Sequence, residues 1–378
     1  MKAKKAIALI LSILCLLTCM AIPVCARERH VFPSAREFFP AGEALPWYQV
    51  PGVELDFVLR GITNGNVFND SVLVLHKGEL VYERYARGWG KDTPHQMYSV
   101  TKSVLSALVG VAIQDKKLKG VDQKVYTFFP GAVIAPGQEC KRDMTIEHLL
   151  TQTSGLPGDD DKEAEGFPWW EAGDTGKAAF EIPQAAAPGE RFSYSSGPGM
   201  QTLAGLLTRA VGENLFEYAK RKLFKPLGMT SVAWDAAPDG VNYGGFGLSM
   251  TPRDMMRLGY LYLNNGNWDG KQILPAWYVA ATPPPSPRNE EYGYGFWNYS
   301  KNSPRDGSFE ASGSFGNFIC VLPEEDMVMV RTGSAGPATK TVSGAMLKNK
   351  LVEAIFMGVV YPLAPLKGVP LQYFMEAL

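Results

Sequence analysis

The chain has 378 residues, 46% hydrophobic, 11% aromatic and 20% charged, the balance of a globular protein with a sizeable core rather than a disordered or fibrous one. With 37 basic and 38 acidic side chains the formal charge is -1, so there is no basic excess to hold nucleic acid and no polybasic stretch to hold an anionic membrane. Thirty-nine glycines and 27 prolines occur without a period, which excludes collagen, solenoid and coiled coil.

The first segment reads as an export signal. Lys2, Lys4 and Lys5 form a positive head, residues from Ala6 to Val24 are almost wholly apolar, and Val24-Cys25-Ala26 suits a signal peptidase. Cleavage after Ala26 is expected, with residues 1–26 removed and 27–378 forming a single domain that carries 34 basic against 38 acidic side chains. Left uncleaved, the same apolar run would anchor the chain in a membrane. Cys15, Cys19 and Cys25 belong to this segment and lack the small preceding residue of a lipid-attachment box. Cys140 and Cys320 remain, far apart and without C-x-x-C spacing, and read as buried thiols rather than a staple.

Residues 71–77 and 80–86 alternate as strands around a turn at Gly78, a hairpin that starts a sheet. Residues 100–114 place Val104, Leu105, Leu108, Val109, Ala112 and Ile113 at helical spacing, with Gly120 as the stop. Residues 145–152 and 200–222 are helical in pattern, and 154–199 reads as a long irregular connection. Strands are expected at Asn317–Pro323 and Met327–Thr332, followed by a helix from about Thr341 to Met357. The sum is an α/β fold: an antiparallel sheet from about 50–98 and 240–360, flanked by helices, with a mostly helical region at about 99–239 inserted between its halves.

No metal or cofactor is expected. His30, His76, His95 and His148 form no H-x-H or H-E-x-x-H pattern, and no cysteine cluster lies near them, so each reads as structural or solvated. The same scarcity starves any mechanism that needs a histidine base. A nucleophile is nonetheless offered by Ser99-Val100-Thr101-Lys102 at the start of the helix, because S-x-x-K sets both side chains about one turn apart on one face. A serine at its free pKa is a poor nucleophile and needs a base. Lys102 can serve if neutral, and both burial and the positive helix end lower a lysine pKa. The Ser99 backbone N–H at the same helix start suits a developing oxyanion.

Two further groups give that short motif its context. Tyr194-Ser195-Ser196 lies in a Gly- and Pro-rich loop before a helix, and a tyrosine partly ionised by neighbouring positive charge can carry a proton between nucleophile and leaving group. Ala311-Ser312-Gly313-Ser314-Phe315-Gly316 opens the strand 317–323, where small residues such as Gly313 let a substrate backbone come close and a backbone N–H can give a second oxyanion donor. Trp169 and Trp170 in the long connection could line an apolar pocket.

In this order the three groups resemble the serine β-lactamase and penicillin-binding-protein superfamily, in its class C-like branch of esterases, D-aminopeptidases and 6-aminohexanoate-dimer hydrolases. The likeness runs from about residue 70 to 335 and includes Thr145-Ile146-Glu147-His148-Leu149-Leu150, Thr153-Ser154-Gly155-Leu156, Lys225-Pro226-Leu227-Gly228-Met229 and Gly247 to Asp254. It implies Ser99 as the acylated nucleophile, Lys102 as its base, Tyr194 as the relay, and the N–H groups of Ser99 and Ser314 as the oxyanion hole. Three positions depart from the penicillin-recognising pattern: Ser196 stands in place of Asn, Gln152 in place of His, and Ala311 in place of a Lys or His. Without the last cation a substrate carboxylate has no partner there, which favours a small ester, amide or short peptide over a β-lactam or a peptidoglycan stem. The rivals are therefore a β-lactamase or D,D-peptidase, and a catalytically silent binding module on the same fold. An α/β-hydrolase is excluded, since no G-x-S-x-G elbow occurs.

Overall fold

The structure is a computed structural model that describes residues 67–161, 167–284, 288–298 and 307–335. The expected signal segment and the helix at 341–357 lie outside the described residues.

Strands β1 (Val67–His76) and β2 (Glu79–Tyr85) form the expected hairpin, paired from Ser71 and Tyr85 to His76 and Glu79 across a two-residue turn. Both turn residues have positive φ, 51° at Lys77 and 81° at Gly78, which matches the twist of the flanking strands. A two-residue strand β3 (His95–Gln96) leads into α1 (Val100–Gln114). The helix bounds agree with the periodicity, but the chain leaves the helix well before Gly120, through Asp115 and a left-handed Lys116. Every residue of α1 from Val100 to Ala112 is buried, so the helix is enclosed on all sides rather than along one stripe. Its buried hydroxyls are satisfied: Ser103 donates to the Gly295 carbonyl at 2.6 Å and Ser106 to the Tyr294 carbonyl at 2.8 Å.

The helical region is more divided than its pattern suggests. Helix α2 (Ile146–Leu150) is held by a reciprocal cap in which Thr145 Oγ1 accepts from the His148 N–H and His148 Nδ1 accepts from the Thr145 N–H. The connection at 154–199 is not wholly irregular: it contains α3 (Thr175–Glu181), started by Asp174, whose side chain accepts from the Lys177 N–H at 3.1 Å. The single helix expected at 200–222 is α4 (Pro198–Val211) and α5 (Leu215–Ala219), separated by left-handed Gly212 and continued by a π-turn at Lys220–Phe224. Short strands β4 (Ala233–Trp234) and β5 (Leu248–Met250) join β3 in a small antiparallel sheet.

Helix α6 (Pro252–Leu263) packs on β1 and on the C-terminal strands. After it come a minor hairpin of β6 (Asn267–Trp268) and β7 (Lys271–Gln272), then α7 (Ala276–Ala281) and the short strand β8 (Trp297–Asn298). Strands β9 (Phe309–Gly313), β10 (Asn317–Leu322) and β11 (Met327–Ala335) complete a six-stranded sheet in the order β2-β1-β11-β10-β9-β8. All of its pairs are antiparallel, and β1 lies directly against β11, so N-terminal and C-terminal parts of the chain share one sheet as expected. The stretch 311–316 is not simply the opening of one strand: Ala311 to Gly313 end β9, and Ser314–Gly316 form the tight turn into β10. Cys320 is buried, whereas Cys140 is exposed, contrary to the expectation that both are buried.

Candidate active site

The cleft is built where the start of α1 meets the end of β9. A Cβ on Gly313 would lie 2.3 Å from the Met97 carbonyl and 3.3 Å from the Ser99 nitrogen, so β9 passes directly against the chain entering α1. Ser99 is the N-cap of that helix. The N–H groups of Val100, Thr101 and Lys102 are taken by the carbonyls of Met97, Tyr98 and Ser99, and the Ser99 N–H lies one position further out, at the positive end of the helix. Tyr98 before it and Phe315 in the turn after β9 both have positive φ, 48° and 60°, and their rings meet edge to face at 5.2 Å. Ser314 is exposed and opens that turn.

Lys102, one turn into α1, is 1% exposed. Its Nζ lies 2.9 Å from Ser99 Oγ, 2.8 Å from Ser196 Oγ and 3.1 Å from the Gly245 carbonyl, and 4.6 Å from the centre of the Tyr194 ring. Burial draws its amine down to about 7, against the opposing pull of the Asp159 carboxylate. A large share of Lys102 is therefore a neutral amine at neutral pH, already within reach of the Ser99 hydroxyl.

Tyr194 is hydrogen-bonded to the Ser99 side chain, but its ionisation differs from the expectation. Burial outweighs that hydrogen bond and holds the phenol well above its usual value. Tyr194 is thus a neutral phenol, not a phenolate. The next residue turns the other way: Ser195 Oγ accepts from the Gly199 N–H at 2.9 Å and caps α4, while the Ser195 N–H donates to Gln152 Oε1 at 2.9 Å. Gln152 therefore anchors the Tyr194 loop from the end of α2.

Sequence reasoning missed Asp159, Gly245 and the aromatic wall. Asp159 accepts from the Ser196 N–H and the Ser196 hydroxyl, both at 2.6 Å, yet a run of three aspartates reads as solvated surface. Gly245 approaches so closely that a Cβ would fall 2.0 Å from the Ser196 carbonyl; the Gly244-Gly245 pair is the signal that was available. Trp297 stacks on Tyr194 at 5.6 Å, and Tyr292 and Phe192 extend the wall. The two tryptophans singled out from the sequence divide: Trp169 is buried against Ala179 and Ile182, its ring under Gly197, whereas Trp170 is 45% exposed and meets Trp169 edge to face.

Ala311 is fully buried in β9 and supplies no cation. Arg253, which could have replaced it, is held by Glu83 through paired contacts of 2.7 and 2.8 Å, and Arg257 is held by Asp254 at 2.8 Å.

Comparison with known proteins bears on the fold and the family. Over 286 residues the chain is 23% identical to the 6-aminohexanoate-dimer hydrolase of Paenarthrobacter ureafaciens, covering 70% of this chain and 72% of that protein. It is 24% identical over 344 residues to penicillin-binding protein 4 of Amycolatopsis lactamdurans, covering 77% and 83%. A solved structure assigned as a 6-aminohexanoate-dimer hydrolase from Bacillus anthracis shares the fold, with a TM-score of 0.67 at 21% identity over 89% of this chain and 91% of that one. The sequence model of the Beta-lactamase family matches residues 56–353, and the chain belongs to that family of serine hydrolases.

Proposed function

We propose that the protein is an exported hydrolase that cleaves a neutral ester or amide through an acyl-enzyme on Ser99. The observation that carries this reading is Ser99 Oγ set 2.9 Å from a buried lysine whose amine is drawn down to about 7. In acylation Ser99 Oγ attacks the carbonyl carbon and its proton passes to Lys102 Nζ, while the oxyanion is met by the N–H groups of Ser99 and Ser314. Tyr194, a neutral donor, delivers a proton to the leaving oxygen or nitrogen as the bond breaks and is reprotonated from Lys102. Water then attacks the ester, its proton goes to Lys102, and Ser99 leaves reprotonated with release of the acid. Ser196 and Gly313 border the acyl group, with the Trp169 ring under Gly197 behind Ser196. Export is supported by the lysine head and apolar run before Ala26.

A β-lactamase or D,D-peptidase reading is favoured by the relative named as a penicillin-binding protein. Against it stands the missing cation at Ala311, a charge-assisted hydrogen bond that contributes roughly 1.5 to 3 kcal/mol to holding a carboxylate. The test is intact-mass spectrometry of the mature chain with a fluorophosphonate and with p-nitrophenyl acetate: one adduct on the peptide containing Ser99, absent in Ser99→Ala, is expected. A silent binding module would give no adduct, and efficient nitrocefin turnover would move the reading to a β-lactamase.

A further inference from the structure

A neutral amine carries two N–H bonds and one lone pair. Lys102 Nζ faces three oxygens, those of Ser99, Ser196 and the Gly245 carbonyl, and acts as a base only if its lone pair is the one facing Ser99. The Gly245 carbonyl can only accept, so one N–H is assigned. The second is decided at Ser196. Its hydroxyl has a single proton, and Asp159 Oδ2 lies 2.6 Å away as an obligate acceptor for it, while Asp159 Oδ1 takes the Ser196 N–H. With its proton so committed, Ser196 Oγ can only accept from Lys102, and the remaining direction, toward Ser99, is left to the lone pair.

We propose that Asp159 is a positioning residue: by holding the Ser196 proton it turns the Lys102 lone pair onto the Ser99 hydroxyl. The proposal rests on the reading of Ser99 and Lys102 as nucleophile and base. Without the carboxylate, Ser196 can donate to Lys102 instead, the lone pair is spent on Ser196, and an N–H is aimed at Ser99, which then cannot release its proton.

The loop that carries Asp159 is built to hold it there. Its N–H donates to the Tyr194 carbonyl at 2.7 Å, and two residues on Asp161 Oδ2 accepts from Arg191 and Ser193, each at 2.7 Å, and from the Gly158 N–H at 2.8 Å. Asp159 thus moves with the 191–196 segment that bears Tyr194 and Ser196. The groups facing Lys102 are the Tyr194 ring and Ser196 from that segment, Ser99 from its own helix and Gly245 from the loop before β5; Asp159 is the charge that acts on it.

The experiment is the rate of fluorophosphonate labelling of Ser99, read by intact mass from pH 5 to 9, for the full mature chain, Asp159→Asn, Ser196→Ala and the double variant. Labelling forms a bond from Ser99 Oγ to phosphorus, expels fluoride and passes the hydroxyl proton to Lys102, so it needs the base but no knowledge of the natural substrate. Asp159→Asn is expected to slow labelling by at least about tenfold, because the amide can donate to Ser196 and reverse its role. Removing the carboxylate also removes the pull that keeps Lys102 protonated, so the acidic limb of the rate moves to lower pH. In the Ser196→Ala background the rate effect should vanish while the limb still moves, and Asp159→Glu should restore part of the rate in the presence of Ser196. Equal slowing by Asp159→Asn with and without Ser196 would reduce Asp159 to a loop tie and overturn the proposal, as would labelling within about twofold of wild type at an unmoved limb. A wild-type chain that is not labelled at Ser99 overturns the nucleophile assignment itself, and the positioning role with it. Thermal melts of each variant separate misfolding from lost orientation.

Discussion

Among the described residues two lysines are buried, and they do different things. Lys102 is 1% exposed and Lys141 is 0% exposed, and burial draws both amines down, to about 7 and about 8. Lys141 Nζ donates to the carbonyls of Phe180 and Ile182 at 2.9 and 2.5 Å, where α3 ends with its negative pole. Lys102 Nζ meets two hydroxyls and a single carbonyl. Carbonyls have no proton to give, so Lys141 is a helix cap; a hydroxyl does, so Lys102 can take one. Desolvation alone therefore does not make a base, and the partner set decides.

The largest expected break in that comparison is at Lys102. Lys102→Met should reduce acylation of Ser99 by several orders of magnitude, an increase of about 4 kcal/mol or more in the barrier. Lys102→Arg should be nearly as damaging, because a guanidinium stays protonated. An arginine variant that kept more than about a tenth of the wild-type rate would make Lys102 a provider of charge rather than a base. Melting temperatures of both variants should show the fold intact.

Lys141→Met should do the reverse. It strands two carbonyls at the end of α3 and is expected to lower stability by roughly 1 to 3 kcal/mol in urea unfolding, with the labelling rate of Ser99 unchanged. The same residue sets a pH dependence. Its folded pKa, about 8, lies below the usual lysine value of 10.5. Between those values the unfolded chain holds a proton that the folded chain does not, so this group makes stability rise with pH across that window, and Lys141→Met should flatten the rise.

The pH profile of Lys102 gives a finer test. As the proposed base Lys102 must be unprotonated, so kcat/KM for p-nitrophenyl acetate should fall about tenfold per pH unit below about 7 and level off above it. A limb set by an ordinary carboxylate near pH 4 would remove the lysine from the role.

The smallest effect concerns a third lysine. Wild-type protein should turn over p-nitrophenyl acetate at least about tenfold better in kcat/KM than nitrocefin, and Ala311→Lys should narrow that gap. Because Ala311 is fully buried, its replacement would also show whether a cation at that place in β9 is tolerated without a paired hydroxyl or carbonyl.

What could be read from the sequence is what local rules encode. Ser99 and Lys102 are one helical turn apart, and the hairpin at Lys77-Gly78 and the pair β10 and β11 are strands adjacent in sequence. Tyr194 could be found because a Gly- and Pro-rich loop precedes a helix, but its protonation state could not, since burial comes from Trp297 and Tyr292, about a hundred residues further on. Asp159 and Ser196 are 37 residues apart with no periodicity to join them. Strand β9 was hidden because Phe309-Glu310-Ala311-Ser312-Gly313 mixes a buried glutamate with small residues, and the break after Val211 was hidden because apolar spacing continues past Gly212.

The enclosure of α1 also sets a timescale. A helix buried from Val100 to Ala112 should open its amides to solvent only on global unfolding, so Ser99 and Lys102 are expected to ride on a slowly exchanging part of the chain, which amide hydrogen exchange would check. Asp159 sits on an exposed loop fastened by side-chain and backbone bonds that water can compete for. On warming, the proton orientation around Lys102 should loosen while Ser99 and Lys102 are still held at full register, and activity should decline ahead of the melting transition.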